Sequence, residues 1–172
     1  MNSPGTPLYS VERLADHHDR ASFTSGNLDL DSYLHFQAGQ DLKRKVAVPF
    51  LMLDQSGAIA GYYTLSAYGI RLAELPLKVA KKLPKYPLLP ATLLGRLAVS
   101  RDYQGKKLGR FLLMDALQRS WKGTAGIASI GVVVDAYDEK ARAFYLHHDF
   151  VQLVDHPNKL FISMLTIEKA FA

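Results

Sequence analysis

Apolar positions along this chain switch between two spacings, one suited to strands and one to helices. Residues 8–11 give a short strand. Leu30, Leu34, Ala38 and Leu42 then recur at every fourth position, which predicts an amphipathic helix, with Asn27 or Asp29 placed to cap it. Residues 46–53 and 58–70 are apolar with β-branched and aromatic residues, and Asp54-Gln55-Ser56-Gly57 between them predicts a hairpin. Residues 93–99 read as a strand and 100–105 as a turn. From Lys106 the spacing becomes helical, with Gly109, Leu112, Leu113, Ala116, Leu117 and Ser120 on one face. After a turn at 123–126, residues 127–134 predict a buried strand. Strand, crossover helix and parallel strand make a right-handed unit. Residues 138–148 are helical, aligning Ala141, Phe144, Tyr145 and His148. Residues 150–153 and 160–167 read as the last strands, joined by a turn at 155–158. The order predicts an α+β sandwich around a mixed sheet.

Composition narrows the function classes. At 172 residues, 48% hydrophobic and 22% charged, the chain reads as one globular domain with a substantial core. It has no cysteine, which excludes disulfides, thiolate catalysis and thiolate metal sites. The net charge of +5 suits an anionic cofactor and permits a nucleic-acid partner. No apolar run reaches the ~18–20 residues of a membrane span. Residues 1–10 lack the basic and apolar regions of a signal peptide, so a cytoplasmic protein is expected.

Several segments carry candidate chemistry. His17 and His18 read as solvent-facing loop histidines, since no further ligand cluster is in view, and no metal is expected. Lys43, Arg44 and Lys45 read either as cations at a helix C-terminus or as a phosphate-contacting patch. Residues 71–89 hold Pro76, Pro84 and Pro87 with Lys78, Lys81, Lys82 and Lys85. This basic excursion is a solvated connection or a substrate-facing segment, with a short helix at 77–82. Strand, glycine-containing loop and helix at 93–121 make a shape that binds phosphate: the first helical turn has unpaired N–H groups and the positive end of the dipole. Lys106, Lys107 and Arg110 add positive charge there.

Gln104-Gly105-Lys106-Lys107-Leu108-Gly109 resembles the Q/R-x-x-G-x-G/A loop of the GNAT superfamily of N-acetyltransferases, which cradles the pyrophosphate of acetyl-CoA. Lys107 stands where the first glycine of the pattern falls. A right-handed helical backbone there would accommodate its side chain. Residues 138–145, Asp-Glu-Lys-Ala-Arg-Ala-Phe-Tyr, resemble a second element of that family, N-x-x-A-x-x-F-Y, with Asp138 in place of Asn. His148-Asp149-Phe150 stands where the family has x-G-F. The resemblance covers essentially the whole chain. It implies a single GNAT domain over 1–172, of α+β class, with a mixed, mostly antiparallel sheet of six to seven strands and helices on both faces.

It further implies acetyl-CoA as acetyl donor, bound by Leu97, Ala98, Val99, Gln104, Gly105, Lys106, Lys107, Leu108, Gly109, Arg110 and Asp138. Tyr145 would be the general acid that protonates the departing CoA sulfur. A backbone N–H of Leu97 or Ala98 would polarise the thioester oxygen. No residue declares itself as general base. That favours an α-amine acceptor, with a pKa near ~8, over a lysine near ~10.4.

A closer resemblance is to the GNAT toxins of type II toxin–antitoxin modules, of the TacT and AtaT type, which acetylate the aminoacyl amine of charged tRNA. It rests on Phe23 and Gly26, on Leu30, Asp31, Tyr33 and Leu34, on Gly61-Tyr62-Tyr63-Thr64-Leu65-Ser66, and on Leu94-Gly95-Arg96-Leu97-Ala98-Val99. It implies tRNA contacts by Lys43, Arg44, Lys45, Lys78, Lys81, Lys82, Lys85 and Arg96. It also implies a ribbon-helix-helix antitoxin encoded alongside and no membrane partner, and it admits a homodimer. The other readings are a small-molecule or peptide N-acetyltransferase of the same fold, and a catalytically idle CoA-binding protein.

Overall fold

The computed structural model describes residues 7–172, so the signal-peptide reading of residues 1–10 falls largely outside the described residues. The strands are β1 (Tyr9–Arg13), β2 (Val48–Asp54), β3 (Ile59–Arg71), β4 (Leu88–Val99), β5 (Gly131–Asp135), β6 (Val151–Leu153) and β7 (His156–Ser163). The helices are α1 (Leu28–Ser32), α2 (Ala38–Lys43), α3 (Leu77–Ala80), α4 (Leu108–Gly123), α5 (Glu139–His147) and α6 (Met164–Phe171). The strands form a seven-stranded sheet in the order β1-β2-β3-β4-β5-β7-β6. Pairing is antiparallel for β1–β2, β2–β3, β5–β7 and β6–β7, and parallel for β4–β5. The predicted class and strand number hold. No helix among the described residues is long and apolar enough to cross a membrane.

The chain divides into two compact units. The first runs to Leu65 and takes in Arg96–Asp115. Its core gathers Leu14, Phe23, Leu34, Leu51, Tyr62 and Ala98. The Asn27 side chain caps α1 by accepting from the N–H groups of Asp29 and Leu30 at 3.0 and 3.1 Å. Between α1 and α2 the helix widens into a π-turn over Tyr33–Gln37. The buried Tyr62 hydroxyl donates to the Leu30 carbonyl at 2.6 Å, locking that helix to β3. In the β2–β3 hairpin, the Asp54 carboxylate accepts from the Ser56 N–H, the Ser56 hydroxyl and the Ala58 N–H, and Gly57 turns the chain at φ +89°. The Ser56 hydroxyl, and after it the Tyr103 hydroxyl, hold this carboxyl down at about 2.

The expectation for the histidine pair in this unit is overturned in part. His18 does not face solvent: its side chain is 2% exposed. Its Nε2 lies 2.6 Å from Glu12 Oε1, because β1 runs on to Arg13 and brings Glu12 under the loop that follows. His17 remains exposed.

The second unit comprises Ser66–Gly95 and Ala116–Ala172. Ile70, Leu75, Leu89, Ala91, Val133, Leu153 and Phe161 form its core. Here β4 and β5 pair in parallel from Thr92↔Val132 to Leu94↔Val134. Several boundaries differ from the sequence reading, among them the start of β7 at His156, inside the turn expected at 155–158. Strand β4 starts at Leu88, five residues early, so Pro90 lies inside it; the Pro90 carbonyl still accepts from the Ile130 N–H at 2.9 Å. Strand β5 starts at Gly131, where a Cβ would collide with the Ile162 carbonyl, and Ile127 is left outside it, 82% exposed. The predicted last strand stops at Ser163. Its hydroxyl accepts from the Thr166 N–H at 3.1 Å and caps α6 instead. That helix carries Phe171 onto Trp121, with ring centroids 6.2 Å apart and planes 17° from parallel.

Candidate active site

The first unit holds the glycine loop. Strand β4 ends at Val99, and the 3₁₀ turn Arg101–Tyr103 leads into residues 104–107 before α4 begins at Leu108. The approach is tightly anchored. The Ser100 N–H bonds the Ala60 carbonyl and the Arg101 N–H bonds that of Thr24, each at 2.8 Å. The Tyr103 hydroxyl donates to the Asp54 carboxylate, which pushes the phenol up to about 12. Gln104 turns its side-chain amide back to the carbonyls of Ser25, at 2.9 Å, and Val99, at 3.0 Å. Gln104 therefore fixes the loop rather than reaching outward.

Beyond Gln104 the pattern reverses. The backbone N–H groups from Gly105 through Arg110 donate no hydrogen bond to any described residue. The first N–H to find a partner is that of Phe111, with the Lys107 carbonyl at 3.4 Å. A run of unpaired donors at the start of a 16-residue helix is an anion cradle made from backbone. Gly105 takes φ +80°. Lys106, Lys107 and Arg110 are exposed around the run, and the Lys106 ammonium lies 5.5 Å from the centroid of the Tyr103 ring. Leu108, Leu112 and Leu113 are buried and seat the helix.

Lys107 corrects the sequence reading. Its φ is +60°, in the left-handed region, not the right-handed helical backbone expected of a side-chain-bearing residue. The loop keeps the backbone that a glycine would adopt there and accepts local strain instead. Asp149, in the position of the second motif's glycine, behaves alike at φ +70°.

Leu97, Ala98 and Val99 lie beyond the last β4–β5 pair, with Ala98 buried. Arg96 is half-buried, and its guanidinium lies 3.6 Å from the centroid of the Tyr33 ring. The Tyr33 hydroxyl donates to Asp41 at 2.9 Å; burial first, and Asp41 next, push that phenol upward. The resemblance implies a tRNA contact for Arg96, and nothing in the residue pattern signals this stack with Tyr33. Lys43, Arg44 and Lys45 are exposed at the end of α2. Lys45 has φ +59°, and the Val46 N–H reaches back to the Asp41 carbonyl at 2.9 Å, so the helix ends in a left-handed cap.

The second unit holds Asp138 and Tyr145. Asp138 caps α5, its Oδ1 accepting from the Ala141 N–H at 2.7 Å. The Asn-to-Asp replacement thus preserves a cap. Tyr145 is 7% exposed and packs edge-on against Phe144 and Phe150, each with centroids 5.2 Å away. Burial, and secondarily Tyr137, push its phenol well above the usual tyrosine range. Its hydroxyl has no hydrogen-bond partner among the described residues. No fully buried side-chain polar atom in those residues lacks one, so the hydroxyl oxygen opens to solvent. A phenol that holds its proton and has no internal partner is equipped to donate it outward. Lys78, Lys81, Lys82 and Lys85 are all exposed in this unit, on and after α3.

Known proteins resolve what these parts belong to. Residues 49–152 match the acetyltransferase (GNAT) domain. The chain is 36% identical over 138 residues to a tRNA-acetylating toxin of Mycobacterium tuberculosis, covering 80% of this chain and 81% of that protein. AtaT complexed with acetyl-methionyl-tRNAfMet superposes with a TM-score of 0.88 at 30% identity, covering 95% of this chain and 99% of AtaT. A tyrosine-to-phenylalanine mutant of AtaT, bound to the C-terminus of the antitoxin AtaR and acetyl-CoA, superposes at 0.82 and 25% identity, covering 96% and 99%. With its unpaired loop donors and its two motifs in order, this chain belongs to the GNAT family of acetyltransferases.

Proposed function

We propose that this protein is a toxin that moves the acetyl group of acetyl-CoA onto the α-amine of an aminoacyl-tRNA and so blocks translation. The likeness to a tRNA-acetylating toxin across four-fifths of both chains carries this reading. All 172 residues serve one catalytic domain, acting in the cytoplasm where charged tRNA is found. The pyrophosphate of acetyl-CoA sits on the N–H groups of Gly105 through Arg110, among the charges of Lys106, Lys107 and Arg110. The pantetheine arm runs along Leu97, Ala98 and Val99. Gln104 and Leu108 hold the loop backbone there, and Asp138 holds the start of α5.

The neutral amine attacks the thioester carbon, whose oxygen is polarised by the N–H of Leu97 or Ala98. The C–N bond forms, the C–S bond breaks, and Tyr145 passes its proton to the departing sulfur. The resulting phenolate is costly in a buried position, so it takes back a proton from the newly bonded nitrogen. No general base is required of the protein, since an α-amine with a pKa near ~8 is partly neutral at pH 7. Lys43, Arg44, Lys45, Lys78, Lys81, Lys82 and Lys85 contact tRNA phosphates. Arg96, steadied by Tyr33, contributes a fixed guanidinium. A cognate ribbon-helix-helix antitoxin neutralises the toxin.

The test offers labelled acetyl-CoA together with a pool of charged tRNAs, peptides and polyamines. Label is expected on the aminoacyl group of tRNA. Label on peptides or polyamines with none on tRNA would make the protein a small-molecule or peptide acetyltransferase.

A further inference from the structure

The loop after β1 gathers three metal-ligating side chains that the acetyl-transfer reading leaves unused. Glu12 comes from β1, and His17 and His18 from the loop. One ligand atom from each lies within 4.8 Å of the others. Glu12 Oε1 is 2.6 Å from His18 Nε2 and 3.6 Å from His17 Nε2. The imidazoles lie against one another, centroids 4.2 Å apart. We propose that Glu12, His17 and His18 form a binding site for a late first-row divalent cation, zinc above all, which clamps the loop to β1.

The donor set selects the metal class. Two imidazoles and one carboxylate suit zinc and its neighbours, whereas magnesium and calcium take oxygen ligands. Ligand atoms ~2.0–2.2 Å from a tetrahedral zinc stand roughly 3.3–3.5 Å apart. The His17–Glu12 separation already matches that spacing. The His18–Glu12 contact has to open slightly.

The backbone prepares His18 for this change. Its Nδ1 lies 2.9 Å from the Ala15 nitrogen and 3.1 Å from the Ala15 carbonyl oxygen. With the ring proton on Nε2, His18 donates to Glu12 while Nδ1 accepts from the Ala15 N–H. With the proton on Nδ1, it donates to the Ala15 carbonyl and Nε2 is freed for a metal. A ligating histidine whose second nitrogen donates to a backbone carbonyl is how metal sites fix ring orientation. His18 is held in the protein at 2% side-chain exposure, while His17, at 73%, and Glu12, at 46%, leave a path for the ion. The exposed carboxylates of Asp16 and Asp19 add negative charge around the entrance. Since β1 is an edge strand, a clamp there secures the end of the sheet that has no further neighbour.

The experiment titrates zinc into tag-free full-length protein by calorimetry, in competition with a chromophoric chelator. One equivalent is expected to bind, and magnesium should give no signal. His17→Ala removes an exposed ligand and should leave the metal-free melting temperature unchanged. Altering a partner behind a ligand already lowers metal affinity about 10–100-fold, so His17→Ala and Glu12→Gln should each cost at least about tenfold. His147→Ala, at an exposed histidine of the other unit, should bind as the parent does. Absence of a one-equivalent zinc event, or equal affinity in His17→Ala and the parent, would overturn the site. So would an affinity loss in His147→Ala matching that in His17→Ala.

Discussion

At the scale of single residues, two positions separate structural from chemical demands. Tyr145→Phe removes a hydroxyl that has no internal partner, so the fold and acetyl-CoA binding should persist. Turnover should fall by about 10²–10⁴-fold, the usual worth of a general acid. Because burial raises the phenol above its ordinary value near ~10, the proton is present throughout the neutral range. The rate should therefore rise with pH as the acceptor amine deprotonates near ~8, with no falling limb below pH ~9.5. A falling limb in the parent that is absent from Tyr145→Phe would contradict this. Lys107 is the second position. Left-handed backbone disfavours a side chain by about 1–2 kcal/mol, most of all a β-branched one. Lys107→Gly should be neutral or stabilising by up to ~1 kcal/mol, because glycine's looser unfolded chain offsets part of the relief. Lys107→Val should cost ~1 kcal/mol or more, read in each case from denaturant unfolding. The motif at 104–109 was legible because it is a string of residue types. The backbone sign at Lys107 was not, because a lysine in a glycine's place says only that one of two conformations has been chosen.

At the scale of elements, the sequence marked most features and hid a few. The fourfold spacing of Leu30, Leu34, Ala38 and Leu42 predicted one amphipathic helix. In a regular α-helix, 12 residues at 100° each leave such a stripe rotated by about 120°. The π-turn at Tyr33–Gln37 winds more loosely and takes up that drift, so the odd period was itself a signal for it. The start of strand β4 is hard to read because a proline usually ends a strand, whereas the missing N–H of Pro90 is tolerated and its carbonyl is still used. Helix α6 was missed because Leu160–Ile162 runs straight into Met164–Ile167 as one apolar stretch. The only mark of the change is Ser163. Ser163→Ala should cost ~1 kcal/mol, as for the loss of a helix cap, and lower the thermal midpoint accordingly. An unchanged midpoint would show that α6 is held by its packing alone. The buried His18 was hidden because its partner Glu12 sits on a strand the pattern ended two residues early.

At the scale of the whole molecule, the net charge of +5 is spread over exposed lysines and arginines of both units. If Lys43, Arg44, Lys45 and the lysines at 78–85 meet tRNA phosphates, neutralising them should weaken tRNA binding across isoacceptors. Each lost contact should reduce the dependence of log K on log salt by ~0.7–0.9 units. Acetylation of a free amino-acid ester, which has no phosphates, should be indifferent to the same changes. A salt slope that stays constant after these substitutions would return the clusters to solvated surface. Partners are the part of this protein least legible in its sequence. Charge counts show that an anion is welcome, but not which one; the proposal of tRNA rests on likeness over the length of the chain.

The stacking of Trp121 on Phe171 has a practical consequence. This indole is the only one in the protein, and it lies wholly within the second unit. Emission excited selectively from the indole, beyond the absorption of the nine tyrosines, is thus a local optical gauge. Its intensity and wavelength follow the docking of the last helix. A melt followed by that emission reports one half of the molecule, and a melt followed by far-ultraviolet dichroism reports both. Coincident curves would identify a single cooperative transition, and separated curves would give the order in which the halves let go.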